Sequence, residues 1–253
     1  WLRGEVQDGE IAYWRQQLAG LPPLLELPYD RPRPAAQSYR GATTTRTIPA
    51  EVNRELVALG RREGATPFMV LLAAWQLLLS RWSGQDDVSV GTPVGGRTRA
   101  EVEEMIGLFI NTLVLRTDLS GDPTFRELLA RVREATLGAY GHQDVPFERL
   151  EEELQPQRSL THGPLFQALL VFQNTPGDGL QLPGLRLRGI NNEVGFARVD
   201  LNLYAEEHGD ALHLTLRYAS DLFEADTAER MLEQLGTLLA GIAREPGARA
   251  SAL

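Results

Sequence analysis

The stretch IGLFINTLVLR, residues Ile106 to Arg116, predicts a strand in the middle of a sheet. Apolar and β-branched residues dominate it, which is typical of strands. Two polar residues, Asn111 and Thr112, stand side by side inside this apolar run. A buried amide without hydrogen-bond partners costs about 1–3 kcal/mol, so Asn111 either pins a loop or bulge to the strand or faces a cavity through which a substrate passes. The sequence leaves both interpretations open. Gly107 fits either one, because a glycine in a strand often marks close backbone approach.

The composition limits the classes of protein to consider. The chain has 253 residues and 43% hydrophobic content, enough for one large domain or two small ones. A net charge of −9 without a basic block argues against nucleic acid as a partner. The absence of cysteine excludes disulfides and thiol nucleophiles and is typical of a cytoplasmic protein. The longest apolar run, Phe68 to Leu79, is too short to span a bilayer, so we expect no membrane partner.

Apolar periodicity divides the chain into helices and strands. Five prolines between residues 22 and 34 predict an extended linker after the first helix. Thr66 and Pro67 form an N-cap and N1 pair that opens an apolar, buried helix. This succession predicts an α/β (α+β) sandwich with a mixed sheet flanked by helices. The predicted helices cover residues 5–19, 50–63, 67–82, 121–140, a short segment opened by Pro146, and 225–243, and the predicted strands cover 43–48, 87–94, 106–116, 165–174, 185–190, 197–205 and 211–218.

Few residues suggest catalysis. The four histidines are not spaced as metal ligands, so we predict no metal site, and neither a G-x-S-x-G elbow nor a phosphate-binding loop is present. His142 beside Gln143 and Asp144 could be a general base, but the better interpretation is that Gln143 and Asp144 cap the turn into the Pro146 helix and that His142 has no role beyond a place in this turn. Asp200 is either a buried, hydrogen-bonded group or a solvent-facing one, and the pattern leaves both open.

Three motifs in order, IGLFINTLVLR, HQDVPFERL and RSLTHGPLFQ, resemble core motifs of condensation domains of nonribosomal peptide synthetases. The flanking AYWRQQLAGLPPLLELPYDRPRP, VSVGTPVGGR and ARVDLNLY extend the resemblance over nearly the whole chain. The family has two lobes with the fold of chloramphenicol acetyltransferase, and its HHxxxDG motif lies in the N-terminal lobe. This sequence contains no His-His pair. The resemblance therefore implies a C-terminal lobe, residues 43–253, behind a lobe-linker helix and proline-rich linker, residues 1–42, with the chain starting just after the N-terminal lobe.

The resemblance also implies an activity. The family joins an upstream acyl or peptidyl thioester to a downstream aminoacyl amine, and phosphopantetheine arms of carrier proteins hold both substrates. The second histidine of HHxxxDG positions or deprotonates the amine, so we expect no catalytic residue in this chain and no activity from it alone. The implied partners are an N-terminal lobe, donor and acceptor carrier proteins and a downstream adenylation domain, and no cofactor is bound directly. A noncatalytic recruitment domain of the same fold and an ester-forming or cyclising relative are the alternatives.

By this resemblance, eleven residues of the sequence match positions in the motifs of the family. Departures from the family pattern occur at His162 and Gly163, before the proline of the third motif. In the family a substrate tunnel runs between the two lobes. The residues that match positions beside this tunnel or at the contact between the lobes are Gly95, Arg97, Gly107, Asn111 and Thr112. Mainly structural positions match Gln143, Asp144, Pro146, Phe147, Arg158 and Pro164.

The segment from Asn174 to Phe196 combines chain breakers with apolar residues. It is too broken for a central strand and too apolar for a free loop, so we expect an arm that docks on another surface. The resemblance matches it to the latch, which crosses from this lobe to the sheet of the other lobe. We expect the arm to contact a neighbouring chain or to stand away from its own core.

Overall fold

A mixed sheet lies at the centre of the computed structural model, which describes residues 4–96, 101, 105–154, 159–173 and 195–253. Within those residues the sheet has six strands in the order β1-β6-β5-β4-β2-β3. Strands β2, β4 and β5 run parallel to one another, and the remaining pairings, β1–β6, β5–β6 and β2–β3, are antiparallel. The strands are β1 Gly41–Ile48, β2 Asp87–Gly95, β3 Ile110–Asp118, β4 Ala168–Gln173, β5 Leu201–His208 and β6 Ala211–Ala219.

The helices form around this sheet in the order that the sequence predicts. Helices α2, α3, α4 and α6 pack against one another and against the strands, whereas α1 and α5 contact each other close to β3. Together these packed elements bury a single apolar core. The helices are α1 Glu5–Gln17, α2 Ala50–Arg62, α3 Pro67–Ser83, α4 Phe125–Gly141, α5 Phe147–Leu154 and α6 Ala225–Arg244, followed by a short 3₁₀ helix at Ala250–Ala252.

Helix α3 is the central helix of the core. Thr66 caps its first turn, Pro67 occupies N1, and Gly84 ends it in the left-handed conformation. Its one buried amide, Gln76, donates from Nε2 to the carbonyls of Val88 (3.2 Å) and Leu115 (3.0 Å) and so ties the helix to β2 and β3. No single helix in the described residues is long and apolar enough to cross a membrane; α2 and α3 meet those limits only as a pair, which is bent by 106°.

Strand β3 does not lie where the sequence predicts. It begins at Ile110 and pairs, in the described part of the chain, with β2 alone, so it is an end strand and not a central one. Two apolar residues shortly before it are exposed, with Ile106 fully and Leu108 at 89% accessible. The outer side of β3 faces the end of α1, where Arg116 Nη1 donates to the carbonyls of Gln17 and Ala19. Among the described residues, the end of α1 is therefore what β3 contacts at Arg116 where a second strand is expected.

The other strand predictions differ in smaller ways. The strand expected from residue 197 begins at Leu201, because residues 198–200 bend and turn the Asp200 side chain inward. The strand expected over 165–174 covers Ala168–Gln173. The predicted strand at 185–190 and the predicted docking arm, apart from its end at Gly195 and Phe196, lie outside the described residues.

Asp200 anchors the proline-rich linker to the sheet. Its side chain is buried and accepts hydrogen bonds from Arg33 Nη1 (3.1 Å) and Tyr29 Oη (3.2 Å), with a second contact from Arg33 Nη2. Burial raises the pKa of Tyr29, and the negative charge of Asp200 adds to this rise. Of the two interpretations of Asp200, the structure shows the buried one. The linker is thus fixed to the core through a desolvated ion pair.

Removal of the Asp200 carboxylate should be strongly destabilising. Asp200→Ala leaves the Arg33 guanidinium buried without its counter-ion, which typically costs about 3–5 kcal/mol. Asp210→Ala is the matched control, because the Arg54–Asp210 pair is 61% and 68% exposed and such pairs contribute less than about 1 kcal/mol. Urea unfolding measures the loss of unfolding free energy in both variants. Equal, small losses in the two variants would contradict the assigned role of Asp200.

Candidate functional site

A cleft of about 370 Å³ opens where β2 and β4 end. The carboxyl ends of parallel strands meet at one edge of a sheet, and ligands of open α/β sheets commonly bind there. The start of α3 and the end of α4 complete the walls. The described residues that line the cleft are Phe68, Thr92, Pro93, Val94, Gly95, Tyr140, Gln143, Val171 and Phe172.

The described walls of the cleft are apolar or carry neutral polar groups. No Asp, Glu, His, Lys or Arg is among the described lining residues. Thr92 donates its hydroxyl to the carbonyl of Leu170 (2.9 Å), and Gln143 donates from Nε2 to the carbonyl of Tyr140 (3.0 Å). Burial raises the pKa of the Tyr140 phenol, so this group stays neutral at ordinary pH. The described walls can enclose an uncharged chain, but they offer no general base at neutral pH.

The cleft residue Gln143 belongs to the turn between α4 and α5, which we define as the His142–Phe147 turn. Asn111 on β3 fastens this turn with its whole amide group. Its Nδ2 donates to the carbonyls of Gln143 and Val145, both at 2.8 Å. Its Oδ1 accepts the N–H of Phe147 (3.0 Å) and of Thr112 (2.8 Å). Of the two interpretations of Asn111, the structure shows the one in which it pins a loop to the strand.

Helix α1 holds the other end of the turn. Trp14 Nε1 donates to the carbonyl of His142 (2.9 Å), and the Tyr13 ring stacks on the His142 ring at 4.0 Å between centroids. His142 Nδ1 lies 3.3 Å from Glu10 Oε2, in an ion-pair arrangement that is not aligned as a hydrogen bond. His142 is the C-cap residue of α4 and does not line the cleft. His142 therefore ends the preceding helix, at a position that gives no support to a general-base role.

The structure separates the remaining predicted site residues. Gly95 lies at the cleft, as Gln143 does, and Thr112 follows Asn111 in β3. Gly107 lies in the exposed segment before β3, where an added Cβ would lie 3.1 Å from the Phe109 ring. Arg97 and Arg158 lie outside the described residues. Two of the positions predicted to be structural make contacts at the start of α5. The carbonyl of Pro146 accepts N–H groups of the first turn, and the Phe147 ring lies 5.6 Å from the Phe166 ring. Of the other two, Asp144 is exposed and Pro164 is half-buried.

Sequence reasoning missed several residues that make long-range contacts. Gln167 is buried, accepts the N–H of Leu25 (2.7 Å) and donates to the carbonyl of Gly163 (2.7 Å), so it joins the linker to the third motif. Its position inside the apolar LFQALLVFQ run was the available signal. His208 and His213 meet across the β5–β6 hairpin with ring centroids 4.6 Å apart. The described residues nevertheless contain no group of three or more side chains suited to a metal ion.

The comparisons with known proteins agree on one family. A model described as "Condensation domain" matches residues 3–253. A linear gramicidin synthase polypeptide from Brevibacillus parabrevis is 49% identical over 255 residues, which are 100% of this chain and 5% of that polypeptide. A four-domain nonribosomal peptide synthetase bound to AMP and glycine is 26% identical, with a TM-score of 0.88 over 98% of this chain and 20% of that one.

The X-domain from teicoplanin biosynthesis is similar to nearly the whole of this chain. Its crystal structure is 35% identical, with a TM-score of 0.92 over 99% of this chain and 57% of that chain. A complex of the X-domain and OxyB from the same biosynthesis matches at 34% identity and a TM-score of 0.88, over 97% and 55% of the two chains. The present chain thus spans just over half of the X-domain chains and about one twentieth of the gramicidin synthase polypeptide.

The amide of Asn111 should matter more for stability than its half-buried position suggests. Asn111→Ala removes four hydrogen bonds to the chain's own backbone, and at roughly 1 kcal/mol each the loss is about 2–4 kcal/mol. The matched control is Asn202→Ala on β5, whose amide donates one hydrogen bond, to Tyr204 Oη, and whose loss should cost about 1 kcal/mol or less. Thermal and urea unfolding measure the loss of stability in both variants. If Asn111→Ala were no more destabilising than Asn202→Ala, the fastening role would be wrong.

Proposed function

This chain belongs to the condensation domain family, and we propose that it is the C-terminal lobe of a domain that forms an amide bond between two carrier-bound substrates. In this proposal the donor is an acyl or peptidyl thioester and the acceptor is an aminoacyl amine. The observation that supports this proposal is the cleft at the ends of β2 and β4. Its described walls could bind an uncharged substrate chain, but they hold no side chain that could accept a proton at neutral pH. A second lobe has to supply that group.

The proposed division of labour follows from the chemistry. Amine attack on a thioester needs both reactants held together and a group that positions or accepts the amine proton. The walls around Gly95 and Gln143 can serve the first need. The group that positions or accepts the amine proton would belong to the HHxxxDG motif of an N-terminal lobe. The lack of a His-His pair in this sequence supports that assignment. Coverage of 57% of the X-domain chain supports a lobe of a larger domain.

The proposed partners are an N-terminal lobe, donor and acceptor carrier proteins with phosphopantetheine arms, and a downstream adenylation domain. Similarity to a linear gramicidin synthase and to a four-domain nonribosomal peptide synthetase supports this multidomain setting. The absence of cysteines supports a cytoplasmic location. Of the residues proposed for tunnel or lobe contacts, Gly95 would contact the substrate chain, whereas Asn111 would act through the His142–Phe147 turn.

A second candidate function is recruitment of a partner protein without catalysis. The similarity to the X-domain, which has been solved in a complex with OxyB, favours it. The two candidates differ in the lobe that would precede this one. An intact HHxxxDG motif in the coding sequence upstream of Trp1 supports the enzyme, and a degenerate motif supports the recruiter.

The chain alone should form no dipeptide when it is mixed with donor- and acceptor-loaded carrier proteins. The reason is that a positioned proton acceptor contributes roughly 10²–10⁴-fold and the cleft has none among its described residues. Mass spectrometry of the released product measures the outcome. The two-lobed parent should form the dipeptide, and replacing the second histidine of its HHxxxDG motif by Ala is the control.

Dipeptide formation above background by the isolated chain would contradict the proposed division between lobes. A parent that has an intact HHxxxDG motif and well-loaded carriers, yet forms no product with any of a panel of amino acids, would contradict the enzymatic proposal itself.

A further inference from the structure

The attachment of the cleft wall to α1 has no role in the function proposed so far. Gln143, which lines the cleft, directly follows His142, and His142 is held by Trp14 through its carbonyl and by Tyr13 through its ring. Trp14 is 1% exposed, so its indole N–H is a buried donor with a single fixed acceptor. The position of the wall therefore depends on α1, which precedes it by 128 residues.

The Tyr13 side chain of α1 also packs directly on α4 at Gly138, where it leaves no room for a Cβ. A Cβ added to Gly138 would lie 2.6 Å from Tyr13 Oη and 3.3 Å from Tyr13 Cζ. Gly138 stands two residues before Tyr140, which lines the cleft as well. A displacement of α1 towards α4 must therefore move the end of α4, or the Tyr13 ring must leave its stack on His142.

The two ends of the His142–Phe147 turn belong to different supports. Asn111 holds the carbonyls of Gln143 and Val145 and the N–H of Phe147 from β3, and β3 is part of the sheet. Trp14 and Tyr13 hold His142 from α1. Movement of α1 relative to the sheet would turn the backbone at His142 against the Gln143 carbonyl that Asn111 holds, and would change the orientation of the Gln143 side chain at the cleft.

We propose that Tyr13 and Trp14 are positioning residues, which set the place of Gln143 and thereby control how tightly a substrate chain is bound in the cleft. The substrate part of this inference rests on the proposed function, whereas the mechanical coupling between α1 and Gln143 does not. Neither residue needs to touch the substrate. Their contribution is the fixed distance between α1 and the wall.

The absence of cysteine from this chain allows the coupling to be measured without activity. Gln143→Cys introduces a single thiol at the wall, and its rate of reaction with a disulfide reagent reports its position. Gly138→Ala pushes on Tyr13, and Gly141→Ala is the matched control in the same helix, because a Cβ there meets no atom within 4 Å. Coupled contacts of 0.5–3 kcal/mol correspond to about 2- to 150-fold, and we expect Gly138→Ala to change the labelling rate by about 5-fold or more.

Gly141→Ala should leave the labelling rate within about 2-fold of the parent, below the range of direct coupling. Trp14→Phe keeps an aromatic ring but removes the hydrogen bond to His142, so it tests the same coupling if Gly138→Ala does not fold. Unchanged labelling in folded Gly138→Ala, or in folded Trp14→Phe where that variant is needed, would overturn the proposal.

A second experiment uses the two-lobed parent and measures condensation kinetics. Gly138→Ala should raise KM for at least one carrier-bound substrate by about 5-fold, within the range of coupled residues, and should change kcat less. In a Gln143→Ala background the same substitution should have little further effect on KM. An equal effect in both backgrounds, or a fall in kcat alone, would overturn the positioning role. If the parent forms no amide bond, the proposed function fails and the thiol labelling still decides the coupling.

Discussion

The hydrogen bonds of the Asn111 amide are the interaction on which the arrangement of this site depends. A turn that leaves one helix and enters another has backbone groups without helical partners. Here one side chain makes three hydrogen bonds to that backbone and a fourth to the N–H of Thr112 in β3, which together use the full capacity of an amide. Because the amide stands on β3, the part of the turn from Gln143 to Phe147 takes its position from the sheet. An aspartate or a leucine of similar size could not supply both kinds of partner.

This fastening explains how an end strand contributes to a binding cleft. The cleft is bordered by the ends of β2 and β4 on one side and by Tyr140 and Gln143 on the other. The second side would be an ordinary surface loop if neither β3 nor α1 held it. With both supports in place it is a fixed wall with neutral polar groups. In the proposed function such a wall would place a substrate chain, and placement alone can supply a large part of the rate of a two-substrate reaction.

Much of the fold could be predicted from local patterns, and the errors share one physical cause. Capping chemistry at Thr66 and Pro67 defines the start of α3, and alternation in Leu212, Leu214 and Leu216 defines β6. The position of β3 could not be predicted, because its buried residues would look the same with a strand or a helix as the outer neighbour. Asn111 and Asp200 find partners at least 32 and 167 residues away along the chain, apart from the N–H of Thr112 next to Asn111. The sequence shows that such polar groups need partners, but their identity depends on the tertiary fold.

The amide hydrogen-exchange rate of Phe147 in the unmodified chain tests the central claim most directly. Its N–H donates to Asn111 Oδ1 in the structure, although it lies at the first residue of a helix, where an N–H has no intrahelical partner. If the amide of Asn111 fixes the turn, this proton should exchange as slowly as the N–H groups in the ladder between β2 and β3. Exchange at the rate of an unprotected loop, with the β2–β3 ladder still protected, would contradict the account.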